Sequence, residues 1–144
     1  MFKKILLAHD GSACGAAALR HSADLARLAG AELHLLGIVV TTGYMALAEG
    51  NGAIDVWGME RKNLQPSMDA AIQLLTTQGV KAVGAIREGE PSEEISAYAR
   101  AISADLVVLG HTKKGMIARW VEGSVGSRLL GNLPCSLLIA TDKA

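Results

Sequence analysis

The sequence predicts an α/β fold in which an open, doubly wound parallel sheet of five strands carries helices on both faces. Short, nearly continuous apolar runs are typical of strands that are buried on both faces of a parallel sheet. Segments with apolar residues at i, i+3, i+4 and i+7, which are typical of amphipathic helices, separate these runs. The two kinds of segment alternate along the chain, and this alternation favours parallel strands joined by right-handed crossovers.

The first part of the chain contains two strands and one helix. The apolar run Ile5–Ala8 predicts the first strand, and the alanine- and leucine-rich segment Ala13–Ala29 predicts the first helix. Gly30 follows that helix at the position where glycine commonly ends one. Leu33–Val40 predicts the second strand. Thr41–Asp55 shows no firm period and is predicted to be a loop, and loops of this length are usually functional or mobile.

The middle of the chain continues the alternation. Val56–Gln78 predicts the second helix, with an interruption near Pro66 because proline removes a helical hydrogen bond. Val80–Ile86 predicts the third strand. Pro91 suits the first position of the third helix, whose apolar stripe runs as far as Ile102.

The last part of the chain completes the fold. Leu106–Leu109 predicts the fourth strand, and a polar, glycine-bearing stretch follows it. Ser124 begins the fourth helix, Pro134 ends it, and Ser136–Ala140 predicts the fifth strand. No linker or repeat interrupts the pattern, so we expect residues 1–144 to form a single domain.

The composition excludes several classes of function. The 144 residues carry 14 basic and 14 acidic side chains, and this formal net charge of +0 differs from the basic balance of nucleic-acid-binding domains. No apolar stretch approaches the roughly 20 residues of a membrane span. Cys14 and Cys135 form neither a Cys-x-x-Cys motif nor a zinc-type cluster. This use of cysteine agrees with a protein of a reducing compartment. We therefore expect a cytoplasmic protein that binds neither nucleic acid nor membranes.

Functional residues are expected where the strands end, because ligands of open parallel sheets bind outside the carboxyl ends of the strands. The most informative stretch begins at Gly110 and leads into the helix that begins at Ser124. Free N–H groups and the dipole of a helix start attract anions, and Gly123 would let a phosphate approach the backbone. Ser124 also suits a plain helix cap, which is compatible with phosphate binding.

Five segments resemble, in order, the universal stress protein family. They are Lys4–Ser12, Gly89–Pro91 with Ile95, Ala104–His111, Gly123–Val125 and Leu133–Ile139. Because their order and separations match over essentially the whole chain, the sequence is identified as similar to this family of adenine-nucleotide α-hydrolase-like proteins.

The resemblance implies the strand order 3-2-1-4-5, with the first and fourth strands flanking a nucleotide crevice. It implies ATP or AMP as the bound nucleotide, with Mg²⁺ accompanying the phosphates. It also implies a homodimer formed through Ser136–Ala140. The residues expected at the nucleotide are Ala8, His9, Asp10, Ser12, Ile38, Gly89, Leu109, Gly110, Lys113, Gly123, Ser124, Val125 and Gly126.

Roles follow from the resemblance at the positions that match. Asp10 would bind the adenosine part, although it equally suits an Asx-turn that caps the first helix. Ile38 would line the adenine pocket, and His9 and Gly89 would lie on the rim. Ribose and phosphates would be held, mostly through backbone N–H groups, by Gly110, Gly123, Ser124, Val125 and Gly126.

One position departs from the family's nucleotide motif, which reads Gly, two residues, Gly, nine residues, Gly and then Ser or Thr. Gly110, Gly123 and Ser124 match, but the middle glycine is replaced by Lys113. A lysine is strained by about 1–2 kcal/mol if that position needs a positive φ. Alternatively, the loop is rebuilt around Gly115 and Lys113 supplies charge to the phosphates.

Three functions remain open on the sequence. The first is a homodimeric stress-response module that binds an adenine nucleotide and acts as a sensor or regulator rather than a dedicated catalyst. The second is a dimerising stress protein that works without nucleotide, as the Lys113 departure indicates. The third is slow ATP hydrolysis, in which Asp10 or Glu122 would hold magnesium. No residue pattern identifies the positioned base that efficient catalysis needs.

Overall fold

The computed structural model describes residues 2–9, 16–40, 56–111 and 124–141. Within these ranges strands and helices alternate as the apolar pattern predicts. The elements are β1 (Lys4–His9), α1 (Ala16–Ala29), β2 (Glu32–Val40), α2 (Val56–Thr77), β3 (Ala82–Gly89), α3 (Pro91–Ile102), β4 (Leu106–His111), α4 (Ser124–Asn132) and β5 (Ser136–Thr141).

The strands form one parallel sheet in the order β3-β2-β1-β4-β5, which confirms the predicted fold class and strand order. The central strand β1 pairs on both sides, with Leu7 opposite Leu35 of β2 and Val108 of β4. A strand with neighbours on both sides and helices on both faces has no polar surroundings, and this explains why its sequence is a solid apolar run.

Helices cover both faces of the sheet. On one face, α1 and α2 pack against side chains that include Ile5, Leu35 and Val108. On the other face, Ile95 of α3 and Leu129 of α4 belong to the cluster that includes the alternate strand residues. Successive residues of a strand point to opposite faces, so each buried strand contributes to both clusters.

Two strands, β3 and β4, extend at least two residues further toward their carboxyl ends than the apolar runs predict. β3 runs from Ala82 to Gly89 because its last residues pair with the end of the longer strand β2, with Val40 opposite Gly89. β4 continues through Gly110 to His111, which lies opposite Thr141 of β5. Main-chain pairing tolerates glycine and polar side chains at these positions, whereas the prediction relied on apolar side chains alone.

The predicted interruption of the second helix near Pro66 is wrong, because α2 is continuous from Val56 to Thr77. Pro66 is exposed, so its ring lies on the solvent side of the helix. The apolar stripe on the opposite side, which includes Met68 and Leu75, is buried against the sheet. Packing of this stripe outweighs the helical hydrogen bond that proline removes.

Two helix boundaries follow directly from residue type. Gly30 has a φ of 65°, which confirms it as the glycine that ends α1. Pro91 occupies the start of α3, and the Glu90 carboxylate accepts a hydrogen bond from the N–H of Glu93 at 3.0 Å. Ser103 ends the same helix with a φ of 57°, a left-handed conformation that its residue type does not predict. In the part of the chain described here, none of the helices has the length and apolar character needed to cross a membrane.

Candidate functional site

The carboxyl edge of the sheet gathers the described residues that the sequence assigns to a nucleotide. Ala8 lies opposite Leu36 in β2, so Ile38 extends two positions beyond Ala8 at this edge. Leu7 lies opposite Val108, which puts Leu109 one position further toward the same edge. Because all the strands are parallel, their carboxyl ends meet here, as expected for a ligand site in an open sheet.

Three of these residues share one face of the sheet. Ala8, Ile38 and Leu109 belong to the cluster that packs against α3 and α4, and they are 2%, 4% and 1% exposed. They come from β1, β2 and β4, which are neighbours in the sheet. The structure therefore brings together an apolar wall of three side chains at the carboxyl edge, which we call the apolar wall.

His9 is oriented toward the other face of the sheet. Its Nε2 lies 3.0 Å from Oγ of Ser67, a residue of α2. The side chain is buried, at 7% exposed, on the side of the sheet covered by α1 and α2. This hydrogen bond gives His9 a structural partner, and its proposed place on the rim of a nucleotide site stays a prediction.

Helices α3 and α4 lie side by side over the face that carries the apolar wall. Nη2 of Arg100, in the last turn of α3, donates a hydrogen bond to the carbonyl oxygen of Asn132 at 2.6 Å. Each of these helices returns the chain between two parallel strands, so both begin at the carboxyl edge of the sheet. The site therefore lies beside two helix starts, at Pro91 and Ser124.

The start of α3 is already occupied by its own capping side chain. Oε2 of Glu90 accepts hydrogen bonds from Oγ of Ser92 at 2.5 Å and from the N–H of Glu93 at 3.0 Å. Burial alone would raise the pKa of Glu90, but these hydrogen bonds and the nearby charge of Arg128 lower it below its ordinary value. The ionised carboxylate satisfies the free N–H groups, which leaves the start of α4 as the better anion site.

Gly89 has a conformational role at the turn into α3. Its φ is 153°, and a Cβ atom built on it would lie 2.6 Å from Oε1 of Glu94. Glycine is required here because other residues rarely adopt this conformation. Its contact with a nucleotide stays a prediction.

The remaining predicted ligand residues are only partly described. Gly110 lies in β4 opposite Ala140, one position beyond Leu109. Ser124, Val125 and Gly126 form the first turn of α4, and only their backbone is described. The predicted ligand residues outside the described ranges are Asp10, Ser12, Lys113 and Gly123.

The family follows from comparison with known proteins. The model of the universal stress protein family matches residues 1–141 of this chain. The chain belongs to the universal stress protein family.

Similar proteins span the length of this universal stress protein. Universal stress protein MJ0531 of Methanocaldococcus jannaschii is 29% identical over 140 residues, which cover 96% of this chain and 82% of that protein. The solved structure of the universal stress protein UspA from Lactobacillus plantarum superposes with a TM-score of 0.77 at 23% identity and covers 96% of this chain and 97% of that one. Its similarity supports the α/β fold.

Two further solved structures hold adenine nucleotides. One is a universal stress protein in complex with cAMP, with a TM-score of 0.68, 18% identity and 97% of each chain covered. The other is a universal stress protein from Archaeoglobus fulgidus in complex with dAMP, with a TM-score of 0.66, 18% identity, and 97% of this chain and 98% of that chain covered. At these identities the likeness shows a shared fold.

In this universal stress protein, one residue near the carboxyl edge of the sheet could not be predicted from the sequence pattern. Ser67 is in the interior of α2, and nothing in its neighbourhood indicates that it contacts His9. The two residues are 58 positions apart, so only the packing of α2 on β1 brings them together. Within the described ranges, no three His, Cys, Asp or Glu side chains come together in a way that could hold a metal ion.

Proposed function

We propose that this universal stress protein binds an adenine nucleotide, ATP or AMP, at the carboxyl ends of β1 and β4. It would act as a sensor or regulator in the cytoplasm rather than as a dedicated catalyst. The observation that carries the proposal is the position of the apolar wall beside the start of α4 at Ser124. An apolar surface next to a helix start suits a ligand with a flat aromatic end and an anionic end.

The residues at the site fit both parts of such a ligand. The side chains of Ala8, Ile38 and Leu109 would contact the adenine, because they form the apolar face nearest the carboxyl edge. The backbone N–H groups of Ser124, Val125 and Gly126 have no helical carbonyl partner upstream and would bind the phosphates. The solved universal stress proteins in complex with cAMP and dAMP, which have a similar fold, support an adenine nucleotide as the ligand.

Nucleotide release tests the proposal. Protein purified without added nucleotide would be denatured by heat, and the supernatant would be analysed by mass spectrometry for ATP and AMP. Calorimetric titration of nucleotide-free protein with ATP and magnesium, and separately with AMP, would measure binding directly. We expect release or saturable binding of at least one nucleotide. Absence of ATP and AMP from the supernatant, together with no heat of binding in either titration, would refute nucleotide binding.

A second candidate is a dimerising stress protein that works without nucleotide. Lys113 favours it, because this residue stands where the nucleotide motif has its middle glycine. The variant Lys113→Gly restores the motif and separates the two candidates. Binding that only the variant shows would support the second candidate, and equal binding by both proteins would support the first.

We also propose a homodimer formed through β5, the strand at one edge of the sheet. Edge strands with apolar side chains favour pairing with another chain. Leu138 is 36% exposed on this strand, whereas on the opposite edge Val83 of β3 is 42% exposed and provides a matched position. Sedimentation equilibrium of Leu138→Lys should show monomer, and Val83→Lys should stay dimeric. Dissociation by both variants, or by neither, would contradict the assignment to β5.

A further inference from the structure

A second cavity, of about 330 Å³, lies between α3 and α4, away from the apolar wall. None of the three residues of the apolar wall lines it. The residues that line it are all polar or charged, namely Ser92, Glu93, Ser96, Arg100, Arg128 and Asn132. Its volume falls within the range of small-molecule sites, about 300–1,000 Å³.

The charged side chains that line this cavity favour an anion. They are two guanidinium groups, of Arg100 and Arg128, and one carboxylate, of Glu93. Arg100 is held over the cavity by its hydrogen bond to the carbonyl of Asn132 at 2.6 Å. The charge of Arg128 also helps to lower the pKa of the half-buried Glu90. Both arginine side chains are exposed, so a ligand in the cavity can reach them.

Ser96 supplies an independent indication of a ligand. The residue is only 3% exposed, yet its Oγ meets no hydrogen-bond partner in the part of the chain described here. An unpaired hydroxyl that is buried costs free energy, and native structures usually provide it with a partner. Ser92, one turn earlier and also 3% exposed, donates to Glu90 and keeps acceptor capacity. A ligand oxygen in the cavity would give Ser96 the partner that it lacks.

We propose that the cavity between α3 and α4 is a second binding site, for a small phosphate monoester of the sugar-phosphate type. Guanidinium groups bind phosphate through paired N–H donors, which suits Arg100 and Arg128. The serine hydroxyls and the amide of Asn132 suit the hydroxyl groups of the sugar. The site is independent of the nucleotide crevice, so it stands whether or not the crevice binds ATP or AMP.

Titration followed by ¹⁵N–¹H NMR tests the proposal with ribose 5-phosphate, ribose and inorganic phosphate as probes. We expect ribose 5-phosphate to shift the amide signals of residues 92–100 and 128–132 until they saturate. It should bind more tightly than ribose or inorganic phosphate alone. The signals of Ala8, Ile38 and Leu109 should stay in place, and the shifts should persist in the presence of excess AMP. Shifts confined to the wall residues, or abolished by AMP, would assign the probe to the crevice and overturn the proposal.

Variants localise the site. Ser96→Ala should weaken ribose 5-phosphate about tenfold, because one hydrogen bond to the ligand is lost. It should not lower thermal stability, since the hydroxyl has no partner in the free protein. Arg128→Gln should weaken binding at least as much. The control Arg20→Gln changes an exposed arginine of α1 on the opposite face.

Two outcomes would refute the site. One is equal affinity for ribose 5-phosphate in the wild type and all three variants. The other is a titration at millimolar concentration that does not saturate up to a 20-fold excess of ribose 5-phosphate over protein. Equal affinity for ribose 5-phosphate and inorganic phosphate would refute the sugar-phosphate class.

Discussion

The guanidinium of Arg100 donates a hydrogen bond to the main-chain carbonyl of Asn132 across 2.6 Å. The bond joins the last turn of α3 to the last residue of α4. A cation at this place also complements the negative end of the α4 dipole. The two helices that begin beside the candidate site are therefore connected at their far ends.

Loss of this connection should lower stability modestly. Arg100→Ala is expected to reduce the free energy of unfolding by about 1 kcal/mol, because an exposed hydrogen bond from a charged group is lost. Urea denaturation followed by circular dichroism measures the change. Arg20→Ala, at an exposed position of α1, is the matched control and should stay within about 0.5 kcal/mol of the wild type. An equal loss in both variants would argue against the bond to Asn132.

Two glycines should respond to alanine in opposite ways. Gly89→Ala is expected to cost about 2 kcal/mol, because the residue has a φ of 153° and a Cβ would lie 2.6 Å from Glu94. Gly131 is in α4 and has open space around its missing Cβ. Gly131→Ala should therefore leave stability unchanged or raise it by up to about 1 kcal/mol. Thermal unfolding of both variants checks the signs, and a stabilising Gly89→Ala would contradict the turn geometry.

The apolar wall can be probed with two truncations in one strand. Ile38→Ala and Leu36→Ala both remove buried side chains from the same face of β2, and each should cost about 2–5 kcal/mol of stability. Only Ile38 lies at the carboxyl edge. Calorimetry at low temperature, with folding verified by circular dichroism, should show about tenfold weaker AMP binding for Ile38→Ala alone. Equal weakening by Leu36→Ala would mean that the effect is one of stability.

Asp105 should make stability depend on pH in the acid range. Its Oδ2 accepts the N–H groups of Lys3 at 2.7 Å and Lys4 at 2.9 Å, which ties the start of β1 to the turn before β4. These hydrogen bonds lower the pKa of Asp105 below its ordinary value of 3.8. A lowered pKa contributes stability that is present above the unfolded value of 3.8 and is lost as the pH falls through the folded value.

The variant Asp105→Asn tests this dependence. Above pH 4 it should be less stable than the wild type, and the difference should shrink as the pH falls below the ordinary carboxyl value of 3.8. Urea unfolding midpoints of the two proteins between pH 2.5 and 7 would measure this difference and its change with pH. Asp69→Asn is the matched control. It removes the same charge from an exposed carboxylate of α2 that accepts a hydrogen bond from the amide of Gln65. A difference from the wild type that stays constant across the range would contradict the role of Asp105.

Local sequence signals predicted the helix boundaries better than the strand ends. Gly30 and Pro91 act through their own backbone preferences, so their positions indicated where α1 ends and α3 begins. The ends of β3 and β4 depend instead on which residues lie opposite them. Gly89 is in a strand because β2 extends to Val40, a partner that no local pattern identifies.

The candidate site was predictable to different degrees. The place of Ala8, Ile38 and Leu109 follows from the rule that ligands bind at the ends of parallel strands, together with the family's motif. The orientation of His9 toward Ser67 did not follow, because it depends on how α2 packs. The polar stripe of Ser92, Ser96 and Arg100 repeats every four residues along α3, but only the contact with α4 makes it a cavity wall.

The alternation of strands and helices, the parallel sheet and the helix starts at Pro91 and Ser124 could all be predicted from the sequence. These features depend on apolar periodicity and on the backbone preferences of single residues, and both are local properties. Only the three-dimensional packing shows which groups meet across elements, such as Arg100 with Asn132 and His9 with Ser67. Such contacts depend on strand register and helix packing, which arise from the burial of many side chains at once and have no signature in a single segment.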